Sequence, residues 1–124
     1  MNKLQLIIAL VIIPMAWTGC GSDETDGTTE TETQTTAERV TTISGLTADA
    51  TNGASVYASF CAACHGASGE GVSSTPALTS LYGPTVSSVA TVVIEGKGSM
   101  AGLGTSLTDQ QIADVVGHVL SLGQ

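Results

Sequence analysis

The chain has 124 residues, with eleven Asp and Glu against three Lys and Arg and a formal net charge of −8. Phosphate binding draws on clustered Lys and Arg, so nucleic acid is excluded as a partner and a basic protein surface is the complementary one. An aromatic content of 3 % leaves little material for a large core.

Residues 1–19 read as an export signal. Asn2 and Lys3 give a short positive start, Leu4 to Ile13 is apolar except for Gln5, and Pro14 to Gly19 is a small, turn-prone end. That run falls short of the ~20 apolar residues a spanning helix needs and suits a secretory signal; the alternative is an uncleaved N-terminal anchor. Trp17-Thr18-Gly19-Cys20 resembles the bacterial lipobox, which implies lipidation of Cys20, although Trp17 stands where Leu is usual. Cysteine arithmetic agrees. Two of the three Cys share one C-x-x-C-H, and the odd Cys20 of an exported chain needs an explanation that lipidation supplies.

Residues 20–48 are expected to be the lipidated Cys20 followed by a flexible acidic tether. Gly21 to Thr36 is almost entirely Thr, Glu, Asp, Gly, Ser and Gln, which buries too little apolar surface to offset the entropy of ordering. Six acids lie between Cys20 and Ala48: Asp23, Glu24, Asp26, Glu30, Glu32 and Glu38.

Residues 49–124 form the one candidate domain, with one Phe, two Tyr and no Trp. A domain so small and so poor in aromatics needs a staple, and a large flat apolar cofactor would serve. Its elements read as helices. Ala50 to Cys61 carries Gly53, Val56, Tyr57 and Phe60 at helical spacing, with Asp49 as cap. Val86 to Glu95 places Val86, Val89, Ala90, Val93 and Ile94 on one face and stops at Gly96; its β-branched residues also suit a strand. In the last, Thr108 and Gln111 form a capping box, Leu107 and Ile112 a hydrophobic staple, and Ile112, Val115, Val116, Val119 and Leu120 a buried stripe. Gly-, Ser- and Thr-rich loops join them. The fold class is all-α, with loops wrapped on a ligand.

Cys61-Ala62-Ala63-Cys64-His65 is the strongest signal. C-x-x-C-H is the attachment sequence of c-type haem. Two thiols three residues apart at a helix end reach the two vinyl groups of one porphyrin, and the next residue turns its imidazole to the iron. A thioredoxin-type pair lacks the surrounding βαβ pattern. A closed zinc site needs about four ligands, and only His118 remains to join.

Gly53-x-x-Val56-Tyr57, Cys61-x-x-Cys64-His65-Gly66, Gly69-x-Gly71, Pro76-x-Leu78, Gly96-Lys97-Gly98-x-Met100 and Leu107-Thr108-Asp109-x-Gln111-Ile112 follow in the order of bacterial class I cytochrome c, which residues 49–124 closely resemble. The resemblance implies the cytochrome c fold, three or more helices around one covalent haem c. It implies thioethers at Cys61 and Cys64, His65 as proximal iron ligand and Met100 as distal ligand. Pro76 would accept the other ring N–H of His65 at its carbonyl, Leu78 would pack on the haem, and Gly53 and Tyr57 would sit in the helix crossing. Two positions depart from the family. Ala101 follows Met100 where Pro is common, which implies a looser loop, and His118 stands where an aromatic is usual, as a packed or solvated histidine. Tyr82 and Lys97 read as surface residues within reach of haem propionates.

With His65 and Met100 both on iron, the resemblance implies a single-electron carrier and not an enzyme. The chain is expected to be a membrane-anchored lipoprotein facing the periplasm or cell exterior. Its expected partners are a redox donor and acceptor, membrane-associated, with a basic docking surface. The alternatives are a haem c subunit of a larger oxidoreductase, and a haem sensor or enzyme with a labile sixth ligand.

Overall fold

The computed structural model describes residues 33–124. The expected export signal, Cys20 and the first part of the expected tether lie outside the described residues. Five helices are present among those described: α1 (Thr36–Gly45), α2 (Ala50–Phe60), α3 (Ala62–His65), α4 (Val86–Glu95) and α5 (Asp109–Leu122). A 3₁₀ turn (Leu78–Ser80) and a two-stranded hairpin, β1 (Gly96–Lys97) with β2 (Met100–Ala101), complete the order. The all-α expectation holds, and the three anticipated helices fall at α2, α4 and α5.

Of these helices, α2, α4 and α5 each begin on a side-chain oxygen that satisfies an orphan amide. Asp49 accepts from the Asn52 amide, and Thr85 with Ser88 and Thr108 with Gln111 make reciprocal capping boxes. α5 buries Ile112, Val115, Val116 and Val119 as its spacing requires, and Leu107 is buried ahead of it. Two apolar residues depart from their predicted faces. Phe60 is 48 % exposed, because α2 ends there and Cys61 takes the inward position; Val86, in the first turn of α4, is also exposed.

The flexible tether expected over 20–48 does not extend through residues 36–45, which form α1. Thr35 and Glu38 cap it with a reciprocal box. Val40 and Ile43, one turn apart, pack into the core with α4 and α5, and Ile43 is fully buried. This helix escapes composition-based reading because its outer face is Thr and Ser, whose hydroxyls return to carbonyls one turn back: Thr41 to Ala37, Thr42 to Glu38, Ser44 to Val40.

The α2–α5 crossing sets the frame. Gly53 lies against the Asp114 carbonyl, where a Cβ would collide with backbone, so the helices approach as only glycine allows. One turn on, Tyr57 stacks tilted on His118 with ring centroids 5.0 Å apart. Of the two readings the sequence left for His118, packed or solvated, the structure shows the packed one. Asp114 is a buried carboxylate, 1 % exposed. It accepts from the Asp49 amide (2.8 Å), Asn52 Nδ2 (2.5 Å) and Gln110 Nε2 (2.7 Å). Burial pushes its carboxyl up, but the bonds from Asp49, Asn52 and Gln110 together outweigh burial and hold it below its ordinary value.

That depression sets a pH dependence. The unfolded chain takes up this proton first, so the stability Asp114 contributes is complete above about pH 4 and drains away as pH falls through the lower folded value. Asp114→Asn should cost about 1–3 kcal/mol at pH 7 and flatten the acid limb of the stability curve. Urea unfolding of both proteins between pH 7 and about pH 3 checks this; parallel curves would show that the carboxylate is not the titrating clamp.

Candidate haem-binding site

The end of α2 delivers the C-x-x-C-H segment. Cys61 closes α2 and opens the single turn of α3. Cys61 is buried and Cys64 exposed. Burial first, and neighbouring Cys64 second, hold the Cys61 thiol above its ordinary value. A thiol that attacks or exchanges disulfides is instead held low, so Cys61 does not have the environment of an attacking redox thiol. Among the described residues, no three His, Cys, Asp or Glu gather as a metal group, and a closed zinc site is not built here.

Two hydrogen bonds fix the backbone at His65 and just after it. The buried Tyr57 hydroxyl donates to the Gly66 carbonyl (2.8 Å), and the Gly71 amide donates to the His65 carbonyl (2.7 Å). Gly71 makes that return with φ +80° and no room for a Cβ against the Thr75 carbonyl. The loop then runs to Leu78, whose amide donates to the Gly69 carbonyl (2.7 Å). His65 itself is half-buried, and its Nδ1 is a buried nitrogen with no hydrogen-bond partner among the described residues.

The bond from His65 to the Pro76 carbonyl is therefore not made. Pro76 is exposed, and the backbone from Thr75 to Ala77 packs against Gly71 instead. An apolar cavity lined by an imidazole, a thiol and a thioether fits a flat apolar cofactor that carries a metal ion.

The hairpin delivers Met100. Lys97 pairs with Met100 and Gly96 with Ala101, and Gly98 opens the two-residue turn at φ +61°, as a type II′ turn requires. Gly96 leaves α4 at φ +81°, pressed against the backbone of Met100 and Gly102. After the hairpin, the Leu103 amide donates to the Val93 carbonyl (2.8 Å) and the Gly104 amide to the Ile94 carbonyl (3.2 Å), tying the chain to the end of α4. Sequence patterning reads this stretch as loop; its Gly-Lys-Gly-Ser signal is that of a tight hairpin.

These pieces meet in one cavity of about 440 Å³. Cys61, His65, Leu78 and Met100 all line it, with valines from α4 and α5 supplying apolar wall. Tyr82 and Lys97 line it too, both exposed. Cys64, Pro76 and His118 do not line it. Four of the six residues predicted to bind the cofactor are thus brought together. Cys64 lies one residue from His65, on the turn that ends in it.

A family model described as cytochrome C oxidase, cbb3-type, subunit III matches residues 48–119. No curated protein and no solved structure matches the chain. The matched stretch contains the C-x-x-C-H turn, the hairpin and most of α5, and α1 lies outside it.

The hairpin's two positive-φ glycines should differ in tolerance. A Cβ added at Gly98 would meet nothing within 4 Å, so Gly98→Ala should cost only backbone strain, about 1 kcal/mol. Gly96→Ala adds a collision with the Met100 and Gly102 backbone and should cost about 2–4 kcal/mol. Denaturant midpoints of the two variants give the comparison; equal losses would mean the hairpin is not pinned at Gly96.

Proposed function

Since this chain belongs to the cbb3-type cytochrome c oxidase subunit III family and carries a monohaem c-type cytochrome domain, we propose that it is an exported single-electron carrier tethered to a membrane. The observation that supports this reading is the single cavity lined by Cys61, His65 and Met100. Cys61 and Cys64 would hold the haem as thioethers, His65 would be the proximal ligand and Met100 the distal one. When bound, the haem supplies an iron that takes up and gives back one electron.

The protein's own residues do the rest. The Tyr57 and Gly71 bonds fix the backbone at His65 and at the residue after it. The Gly96–Ala101 hairpin holds Met100 at the cavity. The valine wall keeps water away, and a soft thioether favours ferrous iron and raises the potential. With His65 and Met100 both on the iron, no position would be left for a substrate. Residues 1–19 would act as the export signal, Cys20 as the lipidated residue, and the acidic stretch up to α1 as the tether; among the described residues no helix is long and apolar enough to cross a membrane.

A second reading keeps this chemistry and changes the partner. The family description is that of an oxidase subunit, which favours a haem c subunit of a larger oxidoreductase. Either way, the acidic chain suits a basic docking surface on its donor or acceptor.

The carrier reading is tested on ferrous protein with carbon monoxide. The pigment should stay on the chain through acidified acetone, and wild-type carbon monoxide binding should be slow. Met100→Ala should bind at least about a hundredfold faster, because only a small open fraction of the wild type is competent. Rapid binding to the wild type would replace the carrier with a sensor or enzyme, and extractable pigment would remove the thioethers. Anchoring is tested at Cys20. Cys20→Ser should release a soluble product or stall as precursor, since stable attachment needs the acyl chains. Intact mass showing an unmodified Cys20 in native protein would refute the anchor, and the same mild detergent extract, carrying the chain alone or with oxidase subunits, separates the two readings.

A further inference from the structure

Arg39 sits on α1, outside the family-matched stretch, and reaches across to the segment that follows Met100. Its Nη1 donates to the Gly104 carbonyl (2.5 Å) and its Nη2 to the Leu107 carbonyl (3.3 Å). Its Nε donates to Asp109 Oδ1 (2.7 Å), and an ion pair joins Nη2 to the same oxygen (2.6 Å). All three guanidinium nitrogens are engaged. Both side chains are largely buried, 17 % and 23 % exposed, where charge-assisted bonds count for more than on open surface.

The bonded groups are not scattered. Gly104 and Leu107 belong to the return from the Met100 hairpin to α5, and Asp109 is the first residue of α5. The near side of that return is tied to α4 by the Leu103 and Gly104 amides; Arg39 ties its far side. Gly104 has no side chain, and a Cβ there would press on Arg39 Nη1. α1 is itself anchored, through Val40 and Ile43 in the core and by Ser44 Oγ 3.4 Å from Ser87 Oγ on α4.

We propose that Arg39 is a positioning residue for Met100: α1 is a brace, added to the family domain, that clamps the return segment and holds the methionine hairpin in place. The inference rests on the reading of Met100 as sixth ligand. It also answers the departure at Ala101. Where the family commonly stiffens the residue after the methionine with proline, this chain restrains the same loop from outside with a guanidinium fork.

The test uses the full haem-loaded chain and three variants: Arg39→Ala, Arg39→Lys and Val40→Ala. Arg39→Ala should speed carbon monoxide binding to ferrous haem about tenfold and weaken the far-red ferric band of thioether ligation. It should also lower protection of the Leu103 and Gly104 amides against hydrogen exchange. Arg39→Lys keeps the charge but not the fork and should recover only part of this; if Arg39→Ala does not accumulate, Arg39→Lys against wild type decides on the same readouts. Val40→Ala, which loosens α1 but keeps the guanidinium fork, should lower thermal stability while moving the carbon monoxide rate and the band less than Arg39→Ala does. The proposal falls if Arg39→Ala or Arg39→Lys loses only thermal stability, or if Val40→Ala moves the haem readouts equally. A wild-type chain that lacks the thioether band fails the Met100 reading, and the brace with it. A wild type that shows the band beside an unaltered Arg39→Ala fails the brace alone.

Discussion

The contact on which the rest depends is the crossing of α2 and α5 at Gly53 and Asp114. α2 ends in the C-x-x-C-H turn, and α5 supplies Val115 and Val119 to the cavity wall. Where these helices cross decides where Cys61 and His65 stand relative to that wall. The missing side chain of Gly53 sets the approach, and a carboxylate that collects three hydrogen bonds from Asp49, Asn52 and Gln110 locks it. A buried charge is costly unless paired or fully bonded. Here the bonds come from the first turns of α2 and α5 and from Asp49 ahead of α2, so the charge specifies which turns meet.

A second constraint is size. The domain buries a few valines, one tyrosine and short aliphatic side chains, and its own residues leave a cavity of about 440 Å³ beside them. In a small domain such a cavity would ordinarily be a defect. Its apolar lining, with an imidazole, a thiol and a thioether around it, matches a cofactor that completes the core. Stability and electron transfer would then depend on the same residues, which accounts for the backbone restraint around His65 and around the Met100 hairpin.

The third constraint acts from outside the family domain. α1 covers faces of α4 and α5 and carries Arg39 to the return segment. Holding the Met100 loop from behind leaves its cavity side free. A proline inside the loop and an arginine outside it are two physical routes to one restraint, the first by limiting dihedrals, the second by bonding carbonyls.

Much of the fold and of the site was legible in the sequence, because local rules decide it. The caps at Asp49, Thr85 and Thr108 and the apolar spacing of α4 and α5 are written in neighbouring residues. So is the spacing of Cys61, Cys64 and His65. What remained hidden depends on partners far apart in the chain. α1 looks like tether until Ile43 finds α4 and α5 and Arg39 finds carbonyls some 65 residues away. The hydrogen bond expected at the Pro76 carbonyl is a matter of loop packing against Gly71, which no spacing rule reports. The burial of Asp114 was not read from the sequence, because one of its donors, Asn52, stands 62 positions earlier. Short-range order follows from dihedral preference and hydrogen bonding within a turn, so the sequence by itself determined the helices, their caps and the C-x-x-C-H spacing. Which side chains share one cavity, and what braces the loop that bears Met100, was decided by the tertiary structure alone, because those distances exist only once the helices have packed.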